Sequence, residues 1–177
     1  FNLQQKLLSL IDREIGYAKS GKEASITIKL NNLEEKTLIN KLYEASQAGV
    51  KITMFVRSIC RLIAGVEGMS ENITVTRIVD RYLEHGRVFI FNNLGKQDVF
   101  LGSADWMNRN IFRRIEVCFP IYDEAIKAET LKLIDIQRKD NLQAVLIDEE
   151  MNNIAVKKDG TLIASQSEIY KFLQNHH

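Results

Sequence analysis

The chain has 177 residues, an apolar fraction of 45% and a formal net charge of +1. That length suits one domain, or one domain with an appendage, and that apolar fraction can fill a core. The near-zero charge gives no case for a generic nucleic-acid or membrane surface, and no apolar run approaches the ~20 residues of a membrane-spanning helix.

Leu3, Leu7, Leu10, Ile11, Ile15 and Ala18 recur at helical spacing and predict a helix over 3–19, closed by Ser20-Gly21. Residues 25–30 alternate and are rich in β-branched side chains, which predicts a strand. A second helix is expected over 34–48, with Leu38, Leu42 and Ala45 on one face and Gly49 as its stop. A second strand follows over 50–56. The crossover between these two strands implies a parallel, right-handed unit. Gly65 and Gly68 interrupt 58–70, so an ordered loop is expected beyond the strand end. Further strands are predicted over 73–78, 87–91 and 98–101, the last two joined as a hairpin around Asn92-Asn93-Leu94-Gly95. Asn110 and Phe112 bracket a connection into a strand over 114–119, ended by Pro120. Asp123 suits the cap of a helix over 124–138. The tail from about residue 140 is less regular, with a strand at 144–147, a turn at Asp159-Gly160 and a closing helix over 165–173. The expected fold is α/β, a mixed sheet flanked by helices, with ligand groups at strand ends.

Eight of the ten arginines lie between Arg57 and Arg114, a stretch that holds one lysine, Lys96. Arginine forks bind phosphate oxygens bidentately, so this bias points to recognition of oxyanions. His85 is the one histidine outside the last two positions. It lies between Glu84 and Gly86-Arg87 at the entrance to a strand, and imidazole titrates near neutral pH. His176 and His177 are given no role. Cys118, in an apolar run, reads as a core filler and Cys60 is ambiguous; a reduced cytoplasmic protein is the default. A chain starting at Phe1 reads as a fragment.

Three elements carry the chemistry: Arg57 at a strand end, His85 and Arg87 entering another strand, and Gly102-Ser103-Ala104-Asp105 leaving the hairpin. A His-x-Arg followed by Gly-Ser-x-Asp resembles half of a phospholipase D superfamily site, with Arg in place of Lys and Asp in place of Asn. The wider sequence is more specific. Leu10-Ile11-Asp12-Arg13-Glu14-Ile15, Ala45-Ser46-Gln47-Ala48-Gly49-Val50-Lys51-Ile52, Val56-Arg57-Ser58-Ile59-Cys60, Gly65 to Ile73, Ile78 to His85, Ser103-Ala104-Asp105-Trp106-Met107 and Arg113 to Val117 resemble, in order, the C-terminal part of the bacterial polyphosphate kinase family.

The resemblance implies one C-terminal catalytic domain over 1–177, a phospholipase D-like half. It implies a protein that moves the terminal phosphate of ATP reversibly onto polyphosphate. The phosphorylated histidine of the family, its magnesium-linked arginines and the aromatic group against the base belong to a preceding domain, so Mg2+ ligands are expected outside this chain and the isolated fragment is expected to be inactive. The nucleotide-contacting arginine of the family maps to Arg57, and its second histidine, catalytic and phosphate-binding, maps to His85. Tyr82 fills an aromatic position and Gly86 stands where Ser is expected; neither change touches the chemistry. Arg61 and Ile63 lie in a stretch that matches less regularly.

Arg81, Arg87 and Ser103 are candidate phosphate contacts, although Arg81 or Arg87 can instead pair with Asp80, Glu84 or Asp105. Lys29 and Asn31 are further candidates; Trp106 and Met107 read as core. ATP or ADP, polyphosphate and the missing N-terminal domains are the expected partners, with no nucleic acid and a homo-oligomer at full length. The expected location is cytoplasmic, with membrane association left open. Two alternatives are a dimeric phosphodiesterase or nuclease of the phospholipase D superfamily with His85 as nucleophile, and a non-catalytic polyanion-binding module using Arg57, Arg81 and Arg87.

Overall fold

A computed structural model describes residues 2–158 and 160–175. Helix α1 (Leu3–Lys19) starts where the Asn2 carboxamide accepts the N–H groups of Gln4 at 3.0 Å and Gln5 at 3.5 Å. It buries Leu7, Leu10, Ile11 and Ile15. Strand β1 (Ser25–Leu30) leads to α2 (Lys36–Gln47), capped by the Glu35 carboxylate on Thr37 and Leu38 N–H. Gly49, at φ +92°, ends that helix with a left-handed residue and turns the chain into β2 (Lys51–Val56). After the irregular stretch 57–72 come β3 (Ile73–Ile78), β4 (Arg87–Phe91), β5 (Asp98–Gly102), a short α3 (Asn108–Arg113), β6 (Cys118–Pro120), α4 (Glu124–Arg138), β7 (Ala144–Ile147), β8 (Asn153–Ala155) and α5 (Ser165–Gln174).

The strands form one mixed sheet in the order β6-β5-β4-β1-β2-β3-β7-β8. β1, β2 and β3 are parallel, and every other pairing is antiparallel. Alternation along β4 shows how the sheet is covered. Phe89 and Phe91 join a core with Leu7, Ile11, Leu38 and Leu42 of α1 and α2, while Val88 and Ile90 join a second core with Ile134 of α4. Helices therefore lie on both faces, and the central strands are buried on both. The expected α/β architecture is present. Among the described residues, no helix is long and apolar enough to cross a membrane.

Several boundaries differ from expectation. The strand expected over 114–119 is only Cys118–Pro120. Residues 114–117 are instead tied down by Ser103, whose N–H donates to Val117 O at 2.9 Å and whose hydroxyl accepts Val117 N–H at 3.0 Å. Pro120 ends the strand as expected, as its last residue, paired with Phe100 at the sheet edge, where a missing N–H costs no ladder bond. The connection through Asn110 and Phe112 is the helix α3. The hairpin β4–β5 is present, but its connection runs on to Gln97, with Asn93, Leu94, Gly95 and Gln97 all at positive φ. Strand β8 was not expected, and the turn at Asp159 lies outside the described residues.

Candidate functional site

Four strand ends meet at one rim of the sheet. β1 and β2 run parallel and finish side by side, with Leu30 opposite Val56. β4 runs the other way and begins there, with Val88 opposite Lys29. Arg57 therefore leaves β2 two interstrand spacings, roughly 10 Å, from the start of β4, where His85 and Arg87 enter. β5 ends at Gly102 opposite Arg87 and delivers Ser103 and Asp105 to the same rim. Gly102 sits in a tight place: a Cβ there would stand 3.2 Å from the Val117 carbonyl oxygen and 3.3 Å from the Phe89 ring, so a larger residue would need its neighbours to give by a few tenths of an ångström.

Asp105 organises this rim. It is 3% exposed, and its carboxylate accepts Asn31 N–H at 2.9 Å, Asn32 Nδ2 at 2.8 Å and Arg87 Nε at 3.2 Å. Burial by itself would raise its pKa. The hydrogen bonds from Asn32, Arg87 and Asn31, with the Arg87 charge, outweigh burial and hold Asp105 below the ordinary carboxylate value. Arg87 is committed to this pair, and its Nη1 also donates to His85 O at 2.6 Å. These bonds make it part of the site's frame.

Arg57 is held differently. Its Nε donates to Asn31 Oδ1 at 3.1 Å, and among the described residues Nη1 and Nη2 have no protein partner. Anchored at one nitrogen, the guanidinium presents its outer edge, the geometry that grips two oxygens of a phosphate. Asn31 joins the two halves: its N–H goes to Asp105 and its side-chain oxygen orients Arg57. It acts by positioning. His85 is exposed, its backbone is tethered through Arg87, and its imidazole has no protein partner among the described residues.

The remaining candidates disperse. Arg81 is exposed, with its guanidinium 5.6 Å from the centre of the Tyr82 ring. The Ser103 hydroxyl is engaged with Glu116 and Val117 N–H. Lys29 turns to Glu84 in an ion pair; burial lowers its pKa, the Glu84 charge opposes that shift and nearby Arg57 adds to it. Trp106 is fully buried 5.7 Å from the Phe89 ring, which places it in the core as expected. Cys60 is buried and Cys118 half-buried, both thiols pushed up by burial, and neither is in a disulfide. Reading along the chain missed Asn32, Gln137 and Gln166. Asn31-Asn32 directly after an apolar strand was the available signal for the first; the two glutamines sit on helices and carry no local mark.

The family described as polyphosphate kinase C-terminal domain 2 matches residues 1–166. A polyphosphate kinase of Vibrio cholerae is 49% identical over 175 residues, which is 98% of this chain and 25% of that protein. The chain thus spans about a quarter of the length of such relatives. The crystal structure of polyphosphate kinase from Porphyromonas gingivalis superimposes with a TM-score of 0.96 at 42% identity, covering 99% of this chain and 27% of that one. A phospholipase D family member, Nuc from Salmonella typhimurium, aligns over 68% of this chain and 80% of its own, with a TM-score of 0.47 and 17% identity.

Proposed function

Because the chain belongs to the polyphosphate kinase family, as a C-terminal domain of it, we propose that the whole protein transfers the terminal phosphoryl group of ATP to polyphosphate, reversibly, and that residues 1–177 form one domain supplying half of its active site. The observation that carries this reading is the pairing of a half-anchored Arg57 with an exposed His85 at one rim of the sheet. Arg57 binds non-bridging phosphate oxygens with its two outer nitrogens and keeps its charge at every working pH. As an imidazolium, His85 stabilises the oxygen that gains charge when the bond between phosphorus and its leaving oxygen breaks, or gives that oxygen a proton. Arg81 extends the path for a polyanion. Arg87 and Ser103 support the frame through Asp105 and Val117.

Magnesium is expected in the complete enzyme, yet among the described residues no group of three His, Cys, Asp or Glu side chains could hold a metal ion, and the buried carboxylate of the site is committed to three residues' donors. Its ligands, the phosphorylated side chain and the contacts to the base are assigned to the parts of the protein beyond this chain. The complete protein is placed in the cytoplasm as a homo-oligomer, with association at a membrane surface left open.

Radiolabelled ATP provides the test. The full-length protein should build long polyphosphate and the isolated 177-residue chain should not. Robust synthesis by the isolated chain would refute the half-site reading.

A further inference from the structure

The segment that presents His85 is held from the far end of the chain. Residues 79–86 link β3 to β4, and among the described residues none of their backbone groups bonds to another backbone group. Apolar anchoring is weak as well. Tyr82 and Leu83 are 56% and 69% exposed. Beneath them, between the sheet and helices α4 and α5, lies a cavity of about 430 Å³ with Tyr82, Glu84 and Gly86 in its wall.

What fixes the segment is a polar clasp. Gln166 of α5 is 7% exposed, and its carboxamide meets Tyr82 as a neighbouring strand would. Tyr82 N–H donates to Gln166 Oε1 at 2.7 Å, and Gln166 Nε2 donates to Tyr82 O at 2.8 Å. The same nitrogen also donates to Glu84 Oε1 at 3.1 Å. The other Glu84 oxygen receives Gln137 Nε2 of α4 at 2.9 Å and the Lys29 ammonium. His85 follows directly, and Arg87 closes the far side at its carbonyl.

We propose that Gln166 is a positioning residue for His85, acting through Tyr82 and Glu84, so that the C-terminal helix sets the geometry of the phosphate site. The inference rests on the reading above, in which His85 takes part in phosphoryl transfer. Buried amides that satisfy a loop's backbone on both its donor and acceptor sides restrict it strongly, and a catalytic group misplaced by about 1 Å can lose up to roughly a hundredfold in rate. Arg57 is oriented by the Asn31 side chain, for which no bond to Tyr82, Glu84 or Gln166 is present among the described residues, so nucleotide affinity should be largely spared.

The test uses the full-length protein and Gln166→Met, which keeps the side-chain length and removes its donors and acceptor. The expected result is a kcat lower by about tenfold with KM for ATP within about twofold. In a His85→Gln background the same substitution should have no further effect, because no imidazole remains to be placed. A kcat within about twofold of wild type, or the same fold-loss in both backgrounds, overturns the inference, since a purely structural glutamine acts regardless of His85. Should Gln166→Met fail to fold, Gln137→Leu, which removes only one donor to Glu84, replaces it: a kcat loss of about threefold that vanishes in the His85→Gln background supports the clasp, and an unchanged kcat overturns it. Wild-type kcat in His85→Gln itself would bring down the function reading and this inference with it. An impaired His85→Gln beside an unimpaired Gln166→Met brings down the inference alone.

Discussion

Asp105→Asn is the sharpest probe of how the site is built. The substitution keeps the shape of the side chain but replaces one acceptor oxygen with an NH2 group and removes the charge that Arg87 faces. Three residues direct donors at this carboxylate, so an amide there must leave at least one donor, at best the part-buried Asn32 amide, without an acceptor. Breaking a buried ion pair by removing one partner costs about 3–5 kcal/mol. The Arg87 side chain is 19% exposed, so water recovers part of its solvation and the lower end applies, about 3 kcal/mol. The assay is a urea titration of the chain followed by the fluorescence of Trp106, its one tryptophan, fully buried and next in sequence. With a slope of about 2 kcal/mol per molar urea, the midpoint should fall by roughly 1.5 M. pH supplies a second reading. The folded-state pKa of Asp105 lies below its unfolded value of about 3.9. Its contribution is therefore complete above that unfolded value and lost as pH falls through the lower folded one. The gap between wild type and Asp105→Asn should stay level from about pH 8 to 5 and narrow below about pH 4. A destabilisation under about 0.5 kcal/mol, the range of an ordinary surface change, would refute the role assigned to Asp105.

Two further outcomes are expected in the full-length protein. Arg57→Lys should raise KM for ATP by about tenfold with a smaller change in kcat, because a point charge cannot reproduce the guanidinium fork; steady-state kinetics with unchanged KM would count against Arg57 as a phosphate ligand. His85→Gln keeps a hydrogen-bond donor but cannot carry the imidazolium charge or give up its proton, so kcat should fall by about a hundredfold or more. A wild-type rate would make His85 a simple scaffold residue.

Much of the fold was readable because burial follows periodicity. Leu7, Leu10, Ile11 and Ile15 marked α1, and the unbroken run from Val88 to Phe91 marked a strand, which the structure buries on both faces. The same logic failed at 114–119. Ile115, Val117 and Phe119 alternate like a half-buried strand, yet all three are exposed, and the segment is shaped by the Ser103 hydroxyl instead. Helix α3 is too short for its spacing to register, and β8 has three exposed residues and no apolar face. At the site, residue type identified Arg57 and Arg87 alike as phosphate candidates. What separates them is Asp105, which lies 18 positions from Arg87 in sequence but bonds it in space. Gln166 lies 84 positions from the backbone it holds, so no local pattern could reveal it.

The two margins of the sheet have a consequence for how this molecule meets other chains. Each ends in a strand of only three residues, β6 on one side and β8 on the other. Such short borders, one of them finishing in a proline that has no N–H to offer, give an incoming strand almost no ladder to bind. Among the described residues both outer strands are thus blunted in the way that disfavours edge-to-edge pairing between sheets.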